Sequence, residues 1–158
     1  LQASCRILGL TDDAVTHLDF PETALDTVGD ALVDAVADAV RWHHPDEVFV
    51  TSEADPHSDH AALARAARRA LSGSPSRLLA YPIWQWERPR SWRRTLAMAS
   101  APEAVRTDGY LERKSAAVAV YRSQMSAALG GAQTEGLTET FLGHFLDGRE
   151  MFFPVPTP

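Results

Sequence analysis

Apolar positions along this chain recur at helical spacing, then in compact runs, and the two patterns alternate. The opening LQASCRILGL reads as the end of a helix that stops at Gly9, a residue suited to the left-handed terminal position. A short strand is predicted over Val15 to Leu18, and Phe20-Pro21-Glu22 turns the chain into a long helix from about Thr23 to Trp42. There Leu25, Val28, Leu32, Val36 and Val40 fall three or four residues apart, with Asp26, Asp30, Asp34 and Asp38 elsewhere around the turn. Glu47 to Thr51 (EVFVT) has the density of a buried strand.

After the loop SEADPHSD a second helix runs from about His60 to Leu71, broken by Gly73-Ser74-Pro75. Arg77 to Tyr81 (RLLAY) is the next strand, Pro82 to Arg94 is irregular, and Glu103 to Thr107 is a short strand. Tyr110 to Met125 is helical up to the region of Gly130-Gly131, followed by a helix near Leu137 to Leu146 and a strand at Glu150 to Phe153. Helices alternating with short apolar strands predict a layered α/β sheet, mainly parallel, in one domain. Ligands of such sheets bind outside the carboxyl ends of the strands, which points to the loop after Thr51.

Composition narrows the chemistry. The 158 residues carry a net charge of −6, which disfavours nucleic acid as main partner, and no run is apolar enough to span a bilayer. The charge is uneven: residues 1–60 hold 13 acids and 2 bases, whereas residues 61–100 hold 8 arginines and one acid, Glu87. Arg65, Arg68 and Arg69 read as the solvated face of a helix. The single cysteine, Cys5, excludes an internal disulfide and reads as a small buried hydrophobe; a reducing, cytoplasmic setting fits. Arginine outnumbers lysine 14 to 1, a coding bias that suggests a GC-rich bacterial source.

The strongest chemical signal is Asp55-Pro56-His57-Ser58-Asp59-His60, at the passage from strand to helix. Two imidazoles three residues apart, with carboxylates before and between them, suit either a metal site or a proton-transfer site. The bland alternative makes Ser58 or Asp59 a helix cap and the histidines bystanders. Spacing alone names no reaction.

The run PDEVFV…DPHSDHAALARAARRAL followed by LLAYPIWQW resembles the PIG-L/LmbE-like de-N-acetylases, as do RILGL with the Phe-Pro-acid turn, ERKSAAVAVYRSQ and the closing GREMFF. The resemblance extends in order over nearly the whole chain. It implies a Rossmann-like three-layer fold and zinc-dependent removal of an acetyl group from an N-acetylated amino sugar of the N-acetylglucosamine type, within a small-molecule sugar conjugate. It implies that His60 is a zinc ligand, that His57 stabilises the oxyanion or protonates the leaving amine, and that Asp59 orients His57. Asp55, Trp86 and Arg88 are the candidate substrate-binding residues. A homo-oligomer is compatible with the family.

The family's first signature, a His-Pro-Asp-Asp-Glu run supplying two zinc ligands and the carboxylate that activates water, is expected upstream of Leu1. The domain is on this reading N-terminally incomplete, and the segment alone is expected to bind zinc poorly and not to turn over. His44-Pro45-Asp46-Glu47 imitates the signature, but it precedes strand EVFVT and so falls at the opposite sheet edge; His43 and Asp46 read as surface or capping groups.

Several residues have a structural reading as strong as a functional one. Trp84, Trp86 and Trp92 suit sugar stacking or packing; Arg88, Arg90, Arg93 and Arg94 suit an anionic substrate or solvent. His144 reads as a packed histidine, His17 has no partner nearby in sequence, and Ser123-Gln124 matches the family pattern without an assigned role. Two other readings compete: a non-catalytic α/β binding or assembly module, and a metal hydrolase acting on a phosphoester.

Overall fold

A computed structural model describes residues 1–88, 92, 101–121 and 137–158. Four strands form a mixed sheet in the order β1-β2-β4-β3, with β1 at Glu47–Thr51, β2 at Arg77–Tyr81, β3 at Glu103–Arg106 and β4 at Arg149–Val155. β1 and β2 are parallel, Glu47 opposite Arg77 and Thr51 opposite Tyr81. Their carboxyl ends therefore lie side by side. β4 runs antiparallel to β2, pairing Val155 with Leu78 and Phe153 with Ala80. The α/β class is as expected, and the mixed order refines the mainly parallel expectation. A short apolar run carries no information about direction, so the pattern at 150–153 could not reveal it.

The chain divides into two compact units. One comprises residues 18–104 and 151–158. Here helix α2 (Asp30–His43) lies against α3 (Ser58–Ala70), and α3 lies on β1 and β2. Val50, Ala67, Leu71 and Leu78 form the buried centre, with Val36, Val40, Val48, Leu63, Ala70 and Val155 packed around them. Four alanines of α3 (Ala62, Ala64, Ala66 and Ala67) are buried, which lets the helix approach the sheet closely.

The long helix expected from Thr23 is interrupted. Leu25–Thr27 is a separate 3-10 turn, and Gly29 adopts φ 66°, ψ −136°, a region open essentially only to glycine. The three- and four-residue apolar spacing crosses this break, so periodicity alone concealed it. Val15 to Leu18 forms no strand; a 3-10 turn at Asp12–Ala14 precedes it and most of the segment is exposed.

The second unit comprises residues 1–17 and 105–150. Helix α1 (Gln2–Leu8) ends at Gly9, φ 90°, as expected, and packs against α4 (Leu111–Ala119) with Ser4, Cys5 and Ala117 buried. Helix α5 (Glu139–Gly143) is capped by Thr138, whose hydroxyl accepts the Phe141 N–H. It is shorter than the Leu137 to Leu146 expected. Of the helix expected to reach Met125, the part from residue 122 on lies outside the described residues, as do Arg90, Arg93, Arg94, Ser123 and Gln124.

Candidate active site

The loop from Ser52 to His57 leaves β1 and turns at once. The Ser52 N–H donates to the Tyr81 carbonyl, prolonging the β1–β2 ladder by one bond. The Ala54 N–H then meets the Ser52 hydroxyl, and the Asp55 N–H the Ser52 carbonyl. This tight turn sends the Asp55 side chain inward, where none of it is exposed.

A buried carboxylate is costly unless its oxygens are paired, and here both are. Oδ1 accepts the His57 N–H at 3.0 Å and faces the His60 Nδ1 at 3.1 Å. Oδ2 accepts the N–H groups of Ile83 at 3.3 Å and Trp84 at 2.9 Å, both in the loop after β2. Burial raises the carboxyl pKa, but the bonds from His60, from the His57 N–H and from the Trp84 N–H outweigh it and hold the group below its ordinary value. Asp55 thus ties together the loops following two adjacent parallel strands. Both oxygens are occupied inside the protein, which gives Asp55 a bracing role beside the substrate contact expected of it.

His60 sits on the first turn of α3 with its side chain 26% exposed, neither in bulk solvent nor sealed in the core. With Nδ1 held by the carboxylate, Nε2 is the nitrogen left for an external partner. A carboxylate on the far nitrogen is the arrangement that orients histidine ligands of metals. The Thr51 hydroxyl donates to the His60 carbonyl at 2.9 Å, fastening the end of β1 to α3.

His57, not Ser58 or Asp59, is the helix cap. Its Nδ1 accepts the Asp59 N–H at 3.2 Å, which assigns the ring proton to Nε2. The His57 and His60 rings stack at 4.6 Å and 26°. The two imidazoles singled out in the sequence are therefore neighbours with their inner nitrogens fixed by different partners.

Asp59, expected to orient His57, meets that ring through its backbone and not through its carboxylate. Its backbone N–H holds the ring, while its carboxylate accepts the N–H groups of Thr23 at 2.6 Å and Leu25 at 3.1 Å. Trp86 lies in a 3-10 turn at Trp84–Glu87, half-buried, with its ring 4.4 Å from that of Trp92, which in turn meets Phe153 edge-on at 5.4 Å. Packing thus claims part of its surface. Arg88, at the end of that turn, is exposed.

The family model for PIG-L, the GlcNAc-PI de-N-acetylases, matches residues 1–71, a span that includes Asp55, His57, Asp59 and His60. The resemblance to that family is borne out. A solved structure, that of the conserved protein TT1542 from Thermus thermophilus, is similar over 99% of this chain and 71% of its own, with 28% sequence identity and a TM-score of 0.65. No curated protein matches the chain.

The PIG-L match places the structured loop between β1 and α3 inside the de-N-acetylase pattern. The imitation of its first signature stays apart: His44 is the left-handed C-cap of α2, and Glu47 begins β1, at the other end of the strand from Asp55. Arg68 and Arg69 face Glu53 and Asp30 across 3.7 and 2.7 Å, a solvated ion-paired helix face as read from the sequence. His17 is exposed, and His144 is half-buried at the end of α5. The cap by His57 and the reach of Asp59 to Thr23 were not foreseen. Both depend on partners that sequence spacing does not announce.

Proposed function

We propose that the complete protein is a metal-dependent amide hydrolase that removes the acetyl group of an N-acetylated amino sugar, with zinc as the metal and His60 as one ligand. The observation that carries this reading is the bond from His60 Nδ1 to the buried Asp55 carboxylate, at the carboxyl edge of two parallel strands. It leaves Nε2 as the ring nitrogen turned toward an external partner, and histidine nitrogen is a ligand that zinc takes.

The residues present fit such an ion only in part. Among the described residues no group of three His, Cys, Asp or Glu side chains could hold a metal, and one imidazole does not make a catalytic site. The remaining ligands are proposed to lie outside the described residues. A complete zinc site supplies Lewis acidity toward an amide carbonyl.

The chain's own residues are assigned as follows. His57 presents its Nε2–H to the carbonyl oxygen as negative charge develops there, a contribution typically worth about 10²–10³ in rate. Asp55 braces His60, and Trp86 and Arg88 are proposed to meet the substrate's sugar and any anionic group it carries. Among the described residues no helix is long and apolar enough to cross a membrane.

The test compares N-acetylglucosamine derivatives with phosphoesters of the same sugar, incubated with the full-length protein. Appearance of free amine and acetate from the first set is the expected result. Release of phosphate alone would select the phosphoester reading instead.

A further inference from the structure

Asp59 makes two connections at once, and only one of them involves the histidines. Its carboxylate reaches 36 and 34 residues back along the chain, to the N–H groups of Thr23 and Leu25. Its own N–H holds Nδ1 of His57. The backbone at Thr23 is thereby one residue removed from the imidazole assigned to the oxyanion.

The segment it captures needs holding. Thr23 adopts φ 62°, a left-handed conformation unfavourable for a β-branched residue, and the 3-10 turn at Leu25–Thr27 is followed by the helix break at Gly29. Such a stretch keeps one shape only where partners outside it impose that shape. Two hydrogen bonds to an ionised carboxylate are strong enough to do so. Directly before Thr23 stand a half-buried Phe20, Pro21 and an exposed Glu22. An aromatic and an acidic residue are the types that suit a sugar, a ring facing C–H groups and carboxylate oxygens accepting from hydroxyls.

We propose that Asp59 is a positioning residue that clamps the loop 20–25 to the amino end of α3, and that this loop forms the wall on which the sugar is bound. The clamp acts through Thr23 and Leu25 rather than through the orientation of His57. The sugar part rests on the deacetylase reading above; the clamp itself does not.

The experiment measures amide hydrogen exchange at Thr23 and Leu25 in the full-length protein, in Asp59→Ala and in Asp59→Asn, together with kcat and KM for deacetylation. In Asp59→Ala both amides should exchange about 10–100-fold faster, the loss expected for bonds to a charged acceptor. KM should rise about tenfold with a smaller change in kcat. Asp59→Asn keeps one acceptor oxygen and should lie between the two; both variants retain the backbone N–H that holds His57. Unchanged exchange in Asp59→Ala overturns the clamp, and a loss confined to kcat, which is what an orienter of His57 would give, overturns the sugar wall. Should the parent protein prove inactive on acetylated sugars, the exchange data decide the clamp independently of that failure.

Discussion

The Asp55 carboxylate and the His60 imidazole meet at 3.1 Å, one fully buried and the other partly open. The pair is structural on one side and chemical on the other. Asp55 receives three backbone N–H groups besides the ring, so its loss strands donors from both strand-end loops.

Asp55→Ala should destabilise the protein by about 3–5 kcal/mol, the cost of removing a buried charged acceptor and leaving its backbone N–H donors unsatisfied. Urea denaturation measures this directly. The carboxyl is held below its usual value of 3.8 in the fold, so the unfolded chain takes up this proton first as the pH falls. The contribution is complete above about pH 4 and is lost as the pH drops through the lower folded value. In Asp55→Asn the acid limb of stability should flatten over that range; an unchanged limb would mean that Asp55 does not carry it.

Tyr81 gives the opposite limb. Burial raises its pKa above the ordinary 10.0, so the unfolded chain ionises first as the pH climbs. Stability is full below about pH 10 and falls as the pH rises toward the folded value. Tyr81→Phe should remove that alkaline slope while altering stability at neutral pH by less than about 1.5 kcal/mol, measured by denaturant midpoints at several pH values.

Gly148 tests the second unit. Its φ of 85° is left-handed, and a Cβ there would stand 2.5 Å from Oδ1 of Asp108, a residue also paired with Arg106. Gly148→Ala should cost about 1–3 kcal/mol in thermal unfolding, from the strained backbone and the displaced carboxylate. An unshifted melting temperature would contradict this account of the turn.

Some of this structure is legible in the sequence. EVFVT and RLLAY are strands with the ends expected of them, because dense β-branched and aliphatic runs leave few alternatives. The histidine loop follows β1, and the look-alike at His44–Glu47 precedes it, because strand direction sorts the two. Gly29 was hidden inside an uninterrupted apolar spacing. The direction of β4 was hidden because hydrophobicity reads the same both ways. The contacts of the Asp59 carboxylate are illegible for a different reason: its partners, Thr23 and Leu25, are backbone N–H groups, which any sequence possesses and which no motif can mark.

The central claim is that His60 offers Nε2 to zinc at an acetyl-hydrolysing site. The direct measurement is zinc content and acetate release of the full-length protein beside His60→Ala. The account predicts stoichiometric zinc and acetate release in the parent, both lost together in the variant, with the fold kept by circular dichroism. A folded His60→Ala protein that still holds its zinc and still releases acetate would contradict it.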